Sequence, residues 1–181
     1  MAIGRKLGEK AVVIALSTAA PLAAWIYTNG LCPDALIMLS PNFGPADSNA
    51  ELLLLPWGNS IVKAAVGDYN EYEVVSDRHA RYTTSHYRSE ALLTMIAAEE
   101  LGRRSDQEKL QIPVLFLYSL QDDVISLPQM EKTFDMIGSE YKMMREINSA
   151  SGHVLAGDTH SPESTEELVQ TFIDFIKRNV L

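Results

Sequence analysis

Four short runs of mostly apolar residues predict the strands of one sheet. They are AVVIAL (11–16), ALIMLS (35–40), PVLFLYS (113–119) and KMMREIN (142–148). The first three carry few polar residues, which is typical of strands buried on both faces of a parallel sheet. The fourth mixes apolar and charged residues, as expected of a strand near a sheet edge.

Helical patterns follow these strands, over residues 21–27, 127–137 and 162–180. Each has a proline in its first turn, where the missing N–H costs least. The last carries glutamates early and Lys177-Arg178 late, an arrangement that complements the helix dipole. Strands that alternate with helices predict an α/β fold with a mainly parallel sheet.

The N-terminal segment allows a second interpretation. Arg5, Lys6 and Lys10 precede an apolar run over 11–27, which is the profile of a secretory signal. The run is marginal for a membrane span, which needs about 20 residues, so no stable span is expected. The alternation of elements in the rest of the chain favours a strand, a tight turn and a helix here. That interpretation predicts a cytoplasmic protein, and the signal interpretation predicts a secreted or membrane-anchored one.

Composition narrows the function classes. The chain has 181 residues, 46% of them apolar, and a net charge of −9. This length predicts about one domain, and the acidic balance disfavours nucleic-acid binding. The single cysteine, Cys32, excludes an intrachain disulfide. Asp77, His79 and His86 lack tight metal-ligand spacing, so we expect no metal, and we expect His79, His86 and His160 at the surface.

Three residues suited to covalent hydrolysis each follow a predicted strand. Ser17 lies in Ala-Leu-Ser-Thr-Ala, where small residues flank a strand-to-helix turn, with alanine in place of the glycines of G-x-S-x-G. Asp122 or Asp123 follows the third strand, and His153 follows the fourth. Functional groups of open α/β sheets lie at these carboxyl ends. Each signal alone is weak, but together they have the order Ser, Asp, His.

The sequence resembles the α/β-hydrolase superfamily, and in particular its carboxylesterase and lysophospholipase-like serine hydrolases. GRKLGEKAVVIALSTAAPLA resembles the helix, strand and nucleophile elbow, and LIMLSPNFGPAD the next strand and its loop. PVLFLYSLQDDVIS resembles the acid strand, and SGHVLAGDTHSPESTEELVQTFIDFI the histidine loop and last helix. The resemblance covers nearly the whole chain.

The resemblance implies roles for individual residues. Ser17 would be the nucleophile, Asp122 rather than Asp123 the orienting acid, and His153 the base. The backbone N–H of Thr18 would stabilise the oxyanion. No cofactor is implied, and the substrate would be a small-molecule acyl ester of unspecified acyl length.

The resemblance also divides the chain into three parts of one domain. Residues 1–42 would hold the elbow strand, its helix and the next strand, residues 43–110 an inserted helical cap, and residues 111–181 the acid strand, histidine loop and last helix. Within the cap, the pattern over residues 81–104 predicts a loop that leads into an amphipathic helix. We expect the charged face of this helix to be solvated. Leu54, Leu55 and Trp57 could line an acyl pocket or pack the cap onto the core.

One departure from the family concerns the first strand. Members of the family have strands before the elbow strand, and a loop among them donates a second oxyanion N–H. We therefore expect the chain to correspond to the C-terminal two-thirds of the α/β-hydrolase fold, a truncated form that lacks the N-terminal strands. An apolar strand over 11–16 would leave an open sheet edge, which predicts association with a second copy.

The sequence thus predicts a serine hydrolase acting on carboxylic esters. The alternative is a non-catalytic fragment of the same fold that associates through its open edge. A peptidase can use the same three residues, so peptidase activity is a further alternative.

Overall fold

The computed structural model describes residues 3–181. Its helices and strands in chain order are α1 (Gly4–Leu7), β1 (Val12–Leu16), α2 (Ala19–Thr28), β2 (Ala35–Leu39), α3 (Gly58–Ala65), β3 (Tyr69–Glu71), α4 (Asp77–Tyr82), β4 (His86–Arg88), α5 (Ala91–Arg103), β5 (Val114–Tyr118), α6 (Leu127–Met136), β6 (Lys142–Glu146) and α7 (Thr165–Asn179). Short 3-10 helices cover Ser48–Leu54, Gln107–Lys109 and Pro162–Ser164.

The four predicted strands form one parallel sheet in the order β1-β2-β5-β6. The two central strands are buried on both faces, as their uninterrupted apolar sequences predict. In β6 exposed and partly buried residues alternate, which fits an edge strand. The predicted α/β fold with a mainly parallel sheet is confirmed.

Two apolar layers cover the faces of this sheet. On one face, Leu36 and Phe116 pack with the alanines of α2 and with Met130 of α6. On the other, Ile37 and Leu117 pack with α7. Because side chains alternate along a strand, the two central strands contribute to both layers. The sheet is therefore packed between helices on both faces. This packing holds the carboxyl ends of its strands in place relative to one another.

β1 has a single neighbour, β2, among the described residues. Two of its apolar side chains are exposed, Ile14 to 52% and Leu16 to 41%. Such an edge presents unpaired N–H and C=O groups beside apolar side chains.

The region between β2 and β5 contains helices and also a two-stranded antiparallel sheet of β3 and β4. The sequence prediction of a helical cap did not include this sheet. His79 of α4 is buried, so its predicted surface position is wrong. Its imidazole packs edge-to-face against His160, and its Nδ1 accepts a hydrogen bond from the backbone N–H of Val75.

The apolar run over 11–27 forms a strand, a turn and a helix rather than one continuous helix. Within residues 3–181, none of the helices combines the length and the apolar character needed to cross a bilayer.

Candidate active site

Ser17 occupies the turn between β1 and α2, here called the serine turn (residues 15–19). Its φ of +56° lies in the left-handed region that non-glycine residues rarely adopt. The Ser17 N–H donates to the carbonyl of Leu39, at 2.9 Å. Its own carbonyl accepts from the N–H groups of Ala20 and Asn42, at 3.0 and 3.3 Å. Hydrogen bonds to α2 and to the β2 loop thus hold a conformation that costs about 1–3 kcal/mol.

His153 lies in the loop after β6, as the sequence predicts. Its Nε2 is 2.8 Å from the Oγ of Ser17. Its Nδ1 is 2.9 and 3.1 Å from the two carboxylate oxygens of Asp122. The structure therefore brings together the three side chains that the sequence placed at three strand ends.

Asp122 lies in the turn after β5 with its side chain fully buried. Its Oδ1 accepts hydrogen bonds from the N–H groups of Val124 and Ile125, at 3.0 and 3.3 Å. Burial alone would raise the pKa of Asp122, but the hydrogen bond and charge of His153 and the N–H of Val124 outweigh it. The pKa is held below its ordinary value, so the group is ionised at neutral pH.

Asp123, the neighbouring carboxylate, is exposed. The geometry therefore distinguishes the two aspartates that the sequence pattern left adjacent. An ionised Asp122 can only accept hydrogen bonds, so Nδ1 of His153 must carry the proton. Nε2 is then the acceptor for the hydroxyl of Ser17, which is the tautomer a general base requires.

Ser40 fixes the backbone of the histidine loop, and the sequence patterns did not assign it a role. It lies at the carboxyl end of β2 with a φ of +42° and is fully buried. Its Oγ donates to the carbonyl of His153, at 2.7 Å. In the sequence, the position of this serine at the end of a predicted strand could have indicated such a role.

The hydroxyls of two further serines hold the loop that carries His153. Ser161 Oγ donates to the carbonyl of Val154, at 2.7 Å, and Ser164 Oγ donates to the carbonyl of Leu155, at 2.6 Å. Local serine-to-backbone bonds of this kind replace secondary structure in an irregular segment. They fix where the imidazole lies relative to the sheet.

Thr18 follows the serine and precedes the first residue of α2. N–H groups at the start of a helix lack intrahelical partners and carry the positive end of the dipole. Leu54, Leu55 and Trp57 lie around the end of the first 3-10 helix and are exposed, Trp57 to 59%.

The charged face of the helix in 81–104 is not wholly solvated, so that prediction is wrong for Glu99. Glu99 lies in α5 and is only 1% exposed. Burial raises its pKa to about 7 against the opposing effects of Thr18 and Arg103. No sequence pattern separated Glu99 from its neighbour Glu100, because burial here depends on the packing of α5 against α2.

No protein-family model and no curated protein matches this chain. Solved structures do match it. A structure reported for LipS and LipT, two metagenome-derived lipolytic enzymes, has a TM-score of 0.74 and 15% identity, over 98% of this chain and 70% of its own. A monoacylglycerol lipase from Paleococcus ferrophilus has a TM-score of 0.67 and 15% identity, over 97% of this chain and 71% of its own.

An esterase from Exiguobacterium antarcticum has a TM-score of 0.59 and 14% identity, over 92% of this chain and 66% of its own. These chains are α/β-hydrolase fold members. This chain spans about 70% of the length of the first two. At such identities the likeness concerns the fold, and it agrees with the order of strands and helices described above. The chain has the α/β-hydrolase fold.

Proposed function

We propose that this protein is a serine hydrolase that cleaves carboxylic esters through an acyl-enzyme. The observation that carries the proposal is the hydrogen-bonded row of Ser17, His153 and Asp122, with contacts of 2.8 and 2.9 Å. A nucleophile within hydrogen-bond reach of a base, itself oriented by a third group, is the arrangement that covalent acyl transfer requires.

The reaction would proceed in two stages. Nε2 of His153 takes the proton of Ser17 as Oγ attacks the ester carbonyl, and the imidazolium then protonates the departing alcohol. Asp122 stabilises the imidazolium but remains ionised. Water, deprotonated by His153, attacks the acyl-enzyme and releases the carboxylic acid and free Ser17.

The backbone N–H of Thr18 is the proposed donor to the oxyanion formed in each stage. It lies at the start of α2, where the helix dipole favours negative charge. Losing one such donor costs about 10²–10³ in rate in a serine protease.

Leu54, Leu55 and Trp57 are proposed to contact the acyl chain. Their side chains are apolar and exposed, which suits contact with an apolar ligand. Trp57→Ala should raise KM for esters of long acids more than for acetate esters. Equal changes for both would remove Trp57 from the proposal.

Ester turnover tests the proposed reaction. The purified chain, Ser17→Ala and Ser60→Ala are compared on nitrophenyl esters of increasing chain length. Ser60 is exposed in α3 and serves as the matched control. We expect loss of turnover in Ser17→Ala and no change in Ser60→Ala. Equal turnover in all three would contradict the proposal, and faster cleavage of the corresponding anilides than of the esters would favour a peptidase.

A second candidate function is association without catalysis. The observation that favours it is the open, apolar edge of β1, with Ile14 and Leu16 exposed. The proposed partner is a second copy, paired antiparallel along this edge about a twofold axis near Ile14. Sedimentation velocity should then show a dimer that Ile14→Lys dissociates and Val169→Lys, an equally exposed position on α7, does not. A monomer at all concentrations would exclude it.

A further inference from the structure

Glu99 links α5 to the serine turn. Its hydrogen bonds reach the turn through Asn42 and Thr18 rather than through His153 and Asp122. The helix lies very close to α2 at this level. A Cβ added to Gly102 would lie 2.3 Å from Cβ and 2.5 Å from the carbonyl oxygen of Pro21. Only glycine permits this approach, which brings Glu99 against the first turn of α2.

Two donors from the site converge on one oxygen of Glu99. Nδ2 of Asn42 donates to Oε1 at 2.6 Å, and Oγ1 of Thr18 donates to the same atom at 3.4 Å. The backbone N–H of Asn42 in turn donates to the carbonyl of Ser17. Glu99 is therefore linked to both Ser17 and Thr18, the proposed nucleophile and oxyanion donor.

Two oxygens of this cluster are buried without a partner among residues 3–181. They are Oε2 of Glu99 and Oδ1 of Asn42, on side chains that are each 1% exposed. If Glu99 is ionised, both atoms are acceptors and neither can serve the other. A proton on Oε2 changes that atom into a donor and supplies what Oδ1 lacks.

We propose that Glu99 is a positioning residue that, as a neutral carboxylic acid, pairs both its oxygens with the amide of Asn42 and so holds the serine turn in its reactive conformation. The proposal rests on the proposed ester hydrolysis. Oε1 accepts from Nδ2, and the Oε2 hydroxyl donates to Oδ1. Such a planar pair of two hydrogen bonds restricts Asn42, and through it the backbone of Ser17.

The positive charges near Glu99 are each paired with other carboxylates, so they stabilise its ionised form only weakly. Arg103, one turn along α5, is engaged by Glu51 of the 3-10 helix and by Glu100. On the other neighbouring helices, Lys63 of α3 pairs with Glu90 at the start of α5, and α2 has no charged side chain. Burial raises the pKa of Glu99 to about 7, so the neutral acid predominates below that pH.

Ionisation of Glu99 should then lower kcat more than it changes KM. The lost proton leaves two acceptors opposed, Oε2 of Glu99 and Oδ1 of Asn42, so Asn42 shifts and no longer holds the carbonyl of Ser17 in place. The Thr18 N–H acts on the transition state rather than on bound ester, so the effect falls on the chemical step. A group with a pKa of about 7 is roughly nine-tenths ionised at pH 8, so kcat can fall by up to about tenfold there.

Glu99→Gln is the decisive variant because the amide imitates the neutral acid. Its oxygen accepts from Nδ2 of Asn42 and its NH₂ donates to Oδ1, with no titration. We expect kcat within about threefold of wild type near pH 6, and a ratio of variant to wild type that rises towards tenfold by pH 8. Glu131→Gln, at an exposed position of α6 away from this cluster, should keep the wild-type profile.

Urea unfolding of the same proteins gives an activity-independent readout. The stability of wild type relative to Glu99→Gln should fall as pH rises from about 4.5 to 7. A constant kcat ratio across pH, or a folded Glu99→Gln that is inactive near pH 6, would overturn the proposal. If no variant turns over esters at any pH, the proposed function fails, and a pH-independent stability difference would then refute the neutral acid–amide pair separately.

Discussion

Two buried carboxylates are linked to Ser17 through different partners and have pKa values shifted in opposite directions. Asp122, in the turn after β5, accepts hydrogen bonds from His153 and two backbone N–H groups, and its pKa is lowered. Glu99, in α5, has donors on one oxygen only, and its pKa is raised to about 7. Burial favours the neutral form of both groups, so the hydrogen-bond donors to each carboxylate and the charge of His153 beside Asp122 account for the difference.

The comparison shows how one site can use a charged and a neutral carboxyl at the same pH. The ionised group fixes the tautomer of His153, which must act as a base. The neutral group can donate a hydrogen bond, which an ionised carboxylate cannot. In the environment of Glu99, Asp122 could not fix the tautomer of His153. In the environment of Asp122, Glu99 could not donate a hydrogen bond.

Removing the charge of Asp122 tests the role of the ionised carboxylate, and we expect it to lower kcat more than the substitutions of Glu99, Gly102 or Ser40. Asp122→Asn should lower kcat for esters by about 10³–10⁴, because the amide favours the wrong tautomer of the imidazole. The matched control is Asp123→Asn, an exposed neighbour that should change kcat less than twofold. Steady-state kinetics near pH 7.5 decides between the two, and an equal loss in both variants would contradict the assignment of Asp122.

The pH dependence of stability tests the contrast directly. The lowered pKa of Asp122 contributes stability that is present above its unfolded value near 3.8 and lost as pH falls through the folded value. The raised pKa of Glu99 acts in the other direction, with its contribution complete below 4.5 and lost as pH rises through about 7. Relative to Glu99→Gln, wild type should lose on the order of 2 kcal/mol over that range, since partial solvent screening reduces the full effect.

Urea titrations at intervals of half a pH unit measure both effects. Asp122→Asn should flatten the acid side of the profile, and Glu99→Gln should flatten the side between 4.5 and 7. If both variants change the same side, the two carboxyls do not differ as described.

Gly102→Ala tests the packing that brings Glu99 to the site. The new Cβ would overlap Pro21, which should cost about 1–3 kcal/mol of stability, although alanine favours the helix by about 1 kcal/mol. Ala97→Gly, at an exposed position of α5, measures the propensity effect alone. A stabilised Gly102→Ala would show that α5 does not approach α2 as closely as described.

Of these substitutions, Ser40→Ala should have the smallest effect. It should act on the pair of Asp122 and His153 and leave Glu99 unaffected. It removes the hydroxyl that donates to the carbonyl of His153, a bond worth about 1 kcal/mol. We expect a loss of about fivefold in kcat with the pH profile of the Glu99 effect unchanged. A change in that pH profile would mean that the two regions are coupled.

Much of the sheet and of the serine, aspartate and histidine row was predictable because it depends on local sequence. Uninterrupted apolar runs identify buried parallel strands, and such strands align their carboxyl ends at one edge. Ser17, Asp122 and His153 were therefore expected to lie close together once each was assigned to the residue after a strand.

The features that were not predicted depend on contacts between distant segments. β3 and β4 have three residues each, which is too short for a period of two to be recognised. His79 is buried by its packing against His160, far along the chain. Glu99 has the same local pattern as Glu100, and its burial depends on the close approach of α5 to α2 at Gly102 and Pro21.

Reaction of the folded chain with a fluorophosphonate probe, followed by mass spectrometry of the labelled peptide, tests the central claim most directly. The reagent requires a serine that is activated by its neighbours. The account predicts a single adduct on Ser17, absent in Ser17→Ala and much slower to form in Asp122→Asn. An adduct on another residue, or none on a chain shown to be folded, would contradict the proposed nucleophile.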